Sequence, residues 1–236
     1  MKLLATVAGL VLVVTASASA ETPNPMFETR DVVSALAFDP SKFFQEENGQ
    51  DLVRFAYRGD DYGWPVYSIA IRNGCLNERT KECHMGRRAR MVRAPVIEKM
   101  ERPRWRGTAL IGKVSAQKPA NPYETAKVLD TVGMEWMEAD LVTCPGAMEV
   151  LAEGNSLIWV TSETLKPTPE TEFELVLHAD TITVEFPYYL RQVRYQGYLA
   201  KRSPAAWADK LAKTLDPCWK PASAPVPWHI QEKTFR

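Results

Sequence analysis

Histidine is the side chain that most readily exchanges a proton near neutral pH, and this chain carries three: His84, His178 and His229. Nucleophilic hydrolysis needs a histidine oriented by an acid and set beside an exposed nucleophile. His178 and Asp180 are close in sequence at the end of an alternating segment, but no G-x-S-x-G elbow accompanies them. The ordinary role for such a histidine is a strand-end ring bonded to the turn. Carboxylates crowd the stretch from Glu135 to Glu174. Two of them at the right separation would make a glycosidase-like acid/base pair, yet their abundance removes the specificity, and Glu135, Glu138 and Asp140 read as a solvated face. Cys75, Cys83 and His84 offer sulfur and nitrogen to a metal, but the spacing fits no standard zinc site. No H-E-x-x-H, P-loop, G-x-G-x-x-G or EF-hand loop is present. The expectation is no catalytic constellation, no metal and no cofactor.

Arginine is the residue type whose distribution is least random. From Arg72 to Lys118 there are 13 Lys or Arg against 4 Asp or Glu, and from Glu124 to Glu185 there are 13 acidic residues against 2 basic. Arg87, Arg88, Arg90 and Arg93 are closely spaced, and Arg102, Arg104 and Arg106 bracket Trp105. Guanidinium forks interleaved with an aromatic suit phosphate and stacking contacts. Arg87, Arg88, Arg90, Arg104 and Arg106 are therefore the candidate face for an anionic ligand. The competing reading is that the basic and acidic segments lie side by side and neutralise each other. The seven tryptophans, including Trp64, Trp136, Trp159 and Trp219, offer a stacking surface for sugars, although core packing is the commoner role. Trp64, between Gly63 and Pro65, is the one whose burial is least assured. Arg58-Gly59-Asp60 matches an adhesion tripeptide, a coincidence at this length.

The compartment follows from the first twenty residues. Met1-Lys2, the apolar stretch Leu3 to Val14 and the small-residue end Ala18-Ser19-Ala20 form a secretory signal peptide, with cleavage expected after Ala20. The apolar stretch is shorter than the roughly 20 residues of a spanning helix. The mature chain, 21–236, is expected to be one exported domain, periplasmic or secreted, with no transmembrane span. Four cysteines after such a leader read as two disulfides. Cys75–Cys83 is favoured because the polar run between them looks like one surface loop, and Cys144–Cys218 follows. Chain entropy gives about 2.5 kcal/mol for the short ring and about 4.5 kcal/mol for the long one.

The elements that must position these groups can be read from periodicity. Residues 31–38 suggest a short helix ended by Asp39-Pro40. Residues 52–58 and 66–72 alternate as strands, joined by a longish loop over Gly59 to Pro65. Further strands are expected near Ala89 to Arg93, Thr108 to Val114 and 157–161. Asn121, Pro122 and Glu124 carry a capping box and first-turn proline for a helix closed by Gly133, and Pro145 opens another that stops at Gly154. Residues 172–178 and 181–186, around Ala179-Asp180, read as a hairpin, followed by a strand at 191–195. Ser203-Pro204 starts a last helix whose Trp207, Leu211 and Leu215 form one apolar stripe. The tail from about Pro221 is proline-rich and irregular. Strands outnumber helices, which gives an α+β fold: a mainly antiparallel sheet built from hairpins with two or three short packed helices.

This pattern points to an exported protein of the cell envelope that acts by binding, with an anionic envelope component or a protein as its partner. The alternative is an envelope-directed hydrolase using His178 or a carboxylate pair. Nucleic acid is not an expected partner for an exported chain.

Overall fold

The alternating segments 52–58 and 66–72 form the centre of the sheet. A computed structural model describes residues 25–45, 49–60, 62–75, 85–96, 104–157, 180–188, 191–199 and 203–230. In it β1 (Asp51–Gly59) pairs antiparallel with β2 (Trp64–Cys75), from Asp51↔Arg72 to Gly59↔Trp64. The turn between them is confined to 60–63, tighter than the loop expected from Gly59 to Pro65. β3 (Met85–Arg93) and β4 (Glu135–Asp140) continue the sheet on one side. β5 (Thr181–Tyr188) and β6 (Arg191–Tyr198) continue it on the other. The two-residue β7 (Lys220–Pro221) completes the order β6-β5-β1-β2-β3-β4-β7, antiparallel throughout. The fold is α+β.

Alternation sends the side chains of the central strands to two different cores. Val53, Phe55, Ile69, Ile71, Ala89, Met91, Ile182 and Val184 face one side, where α4 (Ala147–Leu157) and α5 (Pro204–Leu215) cover them. Ala70, Val92 and Trp136 face the other side, under α1 (Pro25–Ala37), α2 (Arg104–Ala116) and α3 (Pro122–Leu129). A sheet covered on both faces needs apolar residues at consecutive positions, which is why β2 reads Ser-Ile-Ala-Ile with all four buried.

Several local expectations hold in detail. Ser203 caps α5 through its Oγ, which accepts from the Ala206 N–H at 3.0 Å, and Trp207, Leu211 and Leu215 are buried as one stripe. Asn121 Oδ1 accepts from the Glu124 N–H at 2.9 Å at the start of α3. α3 ends at Leu129, and Gly133 lies in the following turn with φ 82°.

Other expectations fail for identifiable reasons. Thr108 to Val114 is helix, within α2. Its Leu110, Ile111 and Val114 are fully buried on one face, and that burial outweighs the weak helix preference of its β-branched residues and glycines. Gly107 is required there by proximity, since a Cβ on it would come 2.6 Å from the Pro65 carbonyl oxygen. α1 begins at Pro25, several residues before the segment expected, and α4 runs through Gly154 instead of stopping there. The Trp207 ring occupies the space a Cβ would need, 2.4 Å away, so Gly154 is a packing glycine inside the helix. The 172–178/181–186 hairpin is also corrected. Both edges of β5 are taken, by β1 and β6, leaving none for 172–178, which itself lies outside the described residues. The strand expected at 157–161 falls largely outside them, and Leu157 ends α4.

Cys144 and Cys218 form a disulfide with Cα atoms 5.8 Å apart across 74 residues, joining the approach to α4 to the end of α5. Cys83 and residues 1–24 lie outside the described residues, and so do the Cys75–Cys83 pairing and the leader. No helix among the described residues is long and apolar enough to cross a membrane. The tail beyond β7 is irregular but anchored. Trp136 Nε1 donates to the Ala224 carbonyl at 2.9 Å, and Trp228, 3 % exposed, donates to Asp130 Oδ1 at 2.9 Å.

Candidate functional site

Part of the charge segregation of the sequence meets in one strand pair. β3 and β4 lie side by side, with Arg88 opposite Asp140, Arg90 opposite Glu138 and Arg93 opposite Glu135. The five candidate arginines do not form one face. Arg88 and Arg90 point to the α1–α3 side, and Arg87 points to the other. Arg90 is buried: its Nη1 donates to the Phe43 carbonyl at 2.7 Å, and its guanidinium lies 4.5 Å from the centre of the Phe44 ring. Arg72 flanks the same ring at 5.0 Å while bonding Asp51, so Arg90 and Arg72 clamp residues 43–44 to the sheet. Arg87 donates to Asn73 Oδ1 and approaches Met148 Sδ. Arg88 lines an open, polar hollow with Glu138, Asp140 and Lys220. Arg104 opens α2, and its side chain lies outside those described. Arg106 alone turns into an apolar cleft.

That cleft has a floor built by register. Tyr57 of β1 lies opposite Tyr67 of β2, and Tyr67 lies opposite Arg93 of β3, so the three form one cross-strand row. The tyrosine rings sit 5.1 Å apart. Val66 and Met91 extend the floor, and α5 forms the roof with Asp209, Ala212, Lys213 and Asp216, which recur at helical spacing. Arg106 from the first turns of α2 and Leu199 after β6 complete a cavity of about 350 Å³. Tyr57 is held by the turn beside it: its hydroxyl donates to Asp180 Oδ2 at 2.5 Å, and the Asp60 N–H donates to Asp180 Oδ1 at 2.9 Å.

Two polar groups in this cleft have no hydrogen-bond or ion-pair partner, respectively, among the described residues. The Tyr67 hydroxyl is buried with no hydrogen-bond partner. A buried polar group in that state costs about 1–3 kcal/mol. Burial pushes its pKa well above the ordinary tyrosine value, with Asp209, Tyr57 and Asp216 adding to the effect, so the group stays a neutral donor. The second is Arg106. Arg93 is paired with Glu135 at 2.6 Å and Asp216 at 3.4 Å, and Lys213 with Asp209 at 2.6 Å. Arg106 forms no ion pair among the described residues. Burial lowers its pKa, and repulsion from Arg93 lowers it further. The cleft thus holds an arginine that has no direct ion pair among the described residues, though Glu135 and Asp216 lie within its field, and one hydroxyl donor without a partner, beside apolar walls.

The remaining sequence candidates fall elsewhere. Trp64 is buried, 7 % exposed, and stacks on Phe27 with centroids 5.8 Å apart. Trp136 is a core residue, Trp219 is partly buried against the core under α4 and α5, and Trp159 lies outside the described residues, as do His84 and His178. Asp180 is committed to the turn. Arg58 of the Arg-Gly-Asp tripeptide donates to Ser34 Oγ at 2.8 Å, so the three residues do not present a free loop. His229 contacts Asp130 at 3.0 Å at the surface. Among the described residues no three His, Cys, Asp or Glu side chains converge as metal ligands. No known family model matches the chain, and neither a curated protein nor a solved structure does.

Proposed function

We propose that this is an exported, non-enzymatic binding protein of the cell envelope, periplasmic or secreted, whose ligand is a small amphipathic acid. The observation that carries the reading is the meeting of an unpaired Arg106 and an unpartnered Tyr67 hydroxyl in one apolar-walled cleft. Ligand pockets combine apolar lining with a few convergent polar groups. Here the carboxylate would be held by Arg106 and Tyr67, with the apolar body lying along Tyr57, Val66, Met91 and Leu199. An anion on Arg106 would offset its desolvation cost and its repulsion from Arg93, against the opposing charges of Asp209 and Asp216. Export is supported by the leader pattern of residues 1–20 and by the Cys144–Cys218 bridge, which suits an oxidising compartment.

Calorimetric titration with decanoate and decanol tests this. Decanoate should bind the wild-type protein, and decanol should bind far more weakly. Arg106→Gln should weaken decanoate by about 10- to 100-fold, the range of a hydrogen bond to a charged group. Equal binding of acid and alcohol, or an unaffected Arg106→Gln variant, would refute the proposal.

A further inference from the structure

A second cleft lies on the opposite face of the sheet, and its polarity differs in kind. The helices α1 to α3 pack over β2 and β3, whereas the same face of β1, β5 and β6 carries polar side chains. Register arranges them in rows. Arg54 lies opposite Glu185 and Glu185 opposite Arg194, while Ala56 lies opposite Thr183 and Thr183 opposite Gln196. Arg58 lies two residues further along β1, about 7 Å beyond the Ala56 row. The flank of α1 (Asp31, Ser34, Ala35) and the segment Phe38 to Pro40 wall this floor on one side, enclosing about 530 Å³.

The charges in this cleft are spoken for, with one exception. Arg54 is paired with Asp51 at 2.5 Å, and Arg194 meets Glu185 at 3.4 Å. Asp31 is paired with Arg30 at 2.7 Å, and Asp39 Oδ1 accepts from the Ser41 N–H and hydroxyl. Arg58 has the Ser34 hydroxyl and no carboxylate within salt-bridge distance among the described residues. A buried charge is normally paired. Burial, with Arg30 nearby, lowers the Arg58 pKa to about 10 despite the opposing pull of Asp31 and Asp39.

We infer that this cleft binds an acidic sugar unit, with its carboxylate on Arg58 and its ring over Ala56. Ala56 places only a methyl group in the middle of the floor, and the groups around it are those that recognise hydroxyls: the Thr183 hydroxyl, the Gln196 amide and the Glu185 carboxylate. Glu185 also discriminates between ligands. It accepts hydrogen bonds from sugar hydroxyls, contacts that a bare inorganic anion on Arg58 lacks. Because the site lies across the sheet from the Tyr67 cleft, each stands or falls without the other.

Chemical-shift titration with glucuronate, glucose and inorganic phosphate decides the matter. Glucuronate should saturate the wild-type protein, with glucose and phosphate each at least about ten-fold weaker. Arg58→Gln should lose at least about ten-fold for glucuronate, and Arg106→Gln should lose nothing. Phosphate binding as tightly as glucuronate, failure of glucuronate to saturate, or wild-type affinity in folded Arg58→Gln would each overturn the inference. If circular dichroism shows that Arg58→Gln does not fold, Gln196→Ala, at an exposed position, replaces it. That variant should weaken glucuronate several-fold, and an unchanged affinity would count against the site.

Discussion

Arg90 and Arg106 carry the same charge and have opposite environments, and the difference lies in what satisfies them. Arg90 gives its donor to the Phe43 carbonyl and its flat face to the Phe44 ring. Arg106 meets neither carboxylate nor carbonyl among the described residues. Arg72 resembles Arg90: its partner Asp51 is only 3 % exposed and also receives Arg54. Removing one member of a buried pair leaves the other charge uncompensated. Asp51→Asn should therefore cost about 3–5 kcal/mol in urea unfolding, and a loss below about 1 kcal/mol would place that pair among weak surface bridges. The arginine spacing alone marked Arg87, Arg88, Arg90, Arg104 and Arg106 alike. Spacing gives no access to carbonyl and ring partners brought from residues 43 and 44, so a clamp and an arginine without an ion pair look identical in the sequence.

At the scale of elements, local chemistry was most legible where it was self-contained. The alternation of β1, β2 and β5 and the capped, striped α5 are written in contiguous residues. α2 is not, because its helicity depends on burying Leu110, Ile111 and Val114 against partners far along the chain, over a glycine that admits the Pro65 carbonyl. The segment 181–186 of the expected hairpin is a strand whose two edges are taken by β1 and β6, because pairing is decided by which strands compete for an edge; 172–178 lies outside the described residues. The Cys144–Cys218 bridge ties the α4 and α5 layer together across 74 residues. Cys144→Ser/Cys218→Ser should lower stability by about 2–5 kcal/mol. A double variant that unfolds at the wild-type denaturant concentration would show that packing of Trp207 against Gly154 holds the layer by itself.

At the scale of the whole molecule, antiparallel order brings positions from Tyr57 to Asp216 to one cleft and positions from Asp31 to Gln196 to another. Neither set forms a motif, so neither cleft could be read before the register was known. The α+β class could be read, because it depends only on the count and kind of elements. The charge balance was half legible: part of the segregation in sequence becomes cross-strand opposition of β3 and β4, with Arg93 and Glu135 in contact, and the place of Arg106 in the cleft is visible only in the fold. A buried hydroxyl without a partner carries a stability cost, which makes the Tyr67 hydroxyl the most direct probe. Tyr67→Phe removes a buried donor that has no partner among the described residues. Thermal unfolding of Tyr67→Phe, with and without decanoate, is the measurement to make. The expected result is a ligand-free variant at least as stable as wild type, with a smaller decanoate-induced rise in Tm. A variant that is less stable without ligand, or equally stabilised by decanoate, would contradict the assignment of Tyr67 and its cleft to binding.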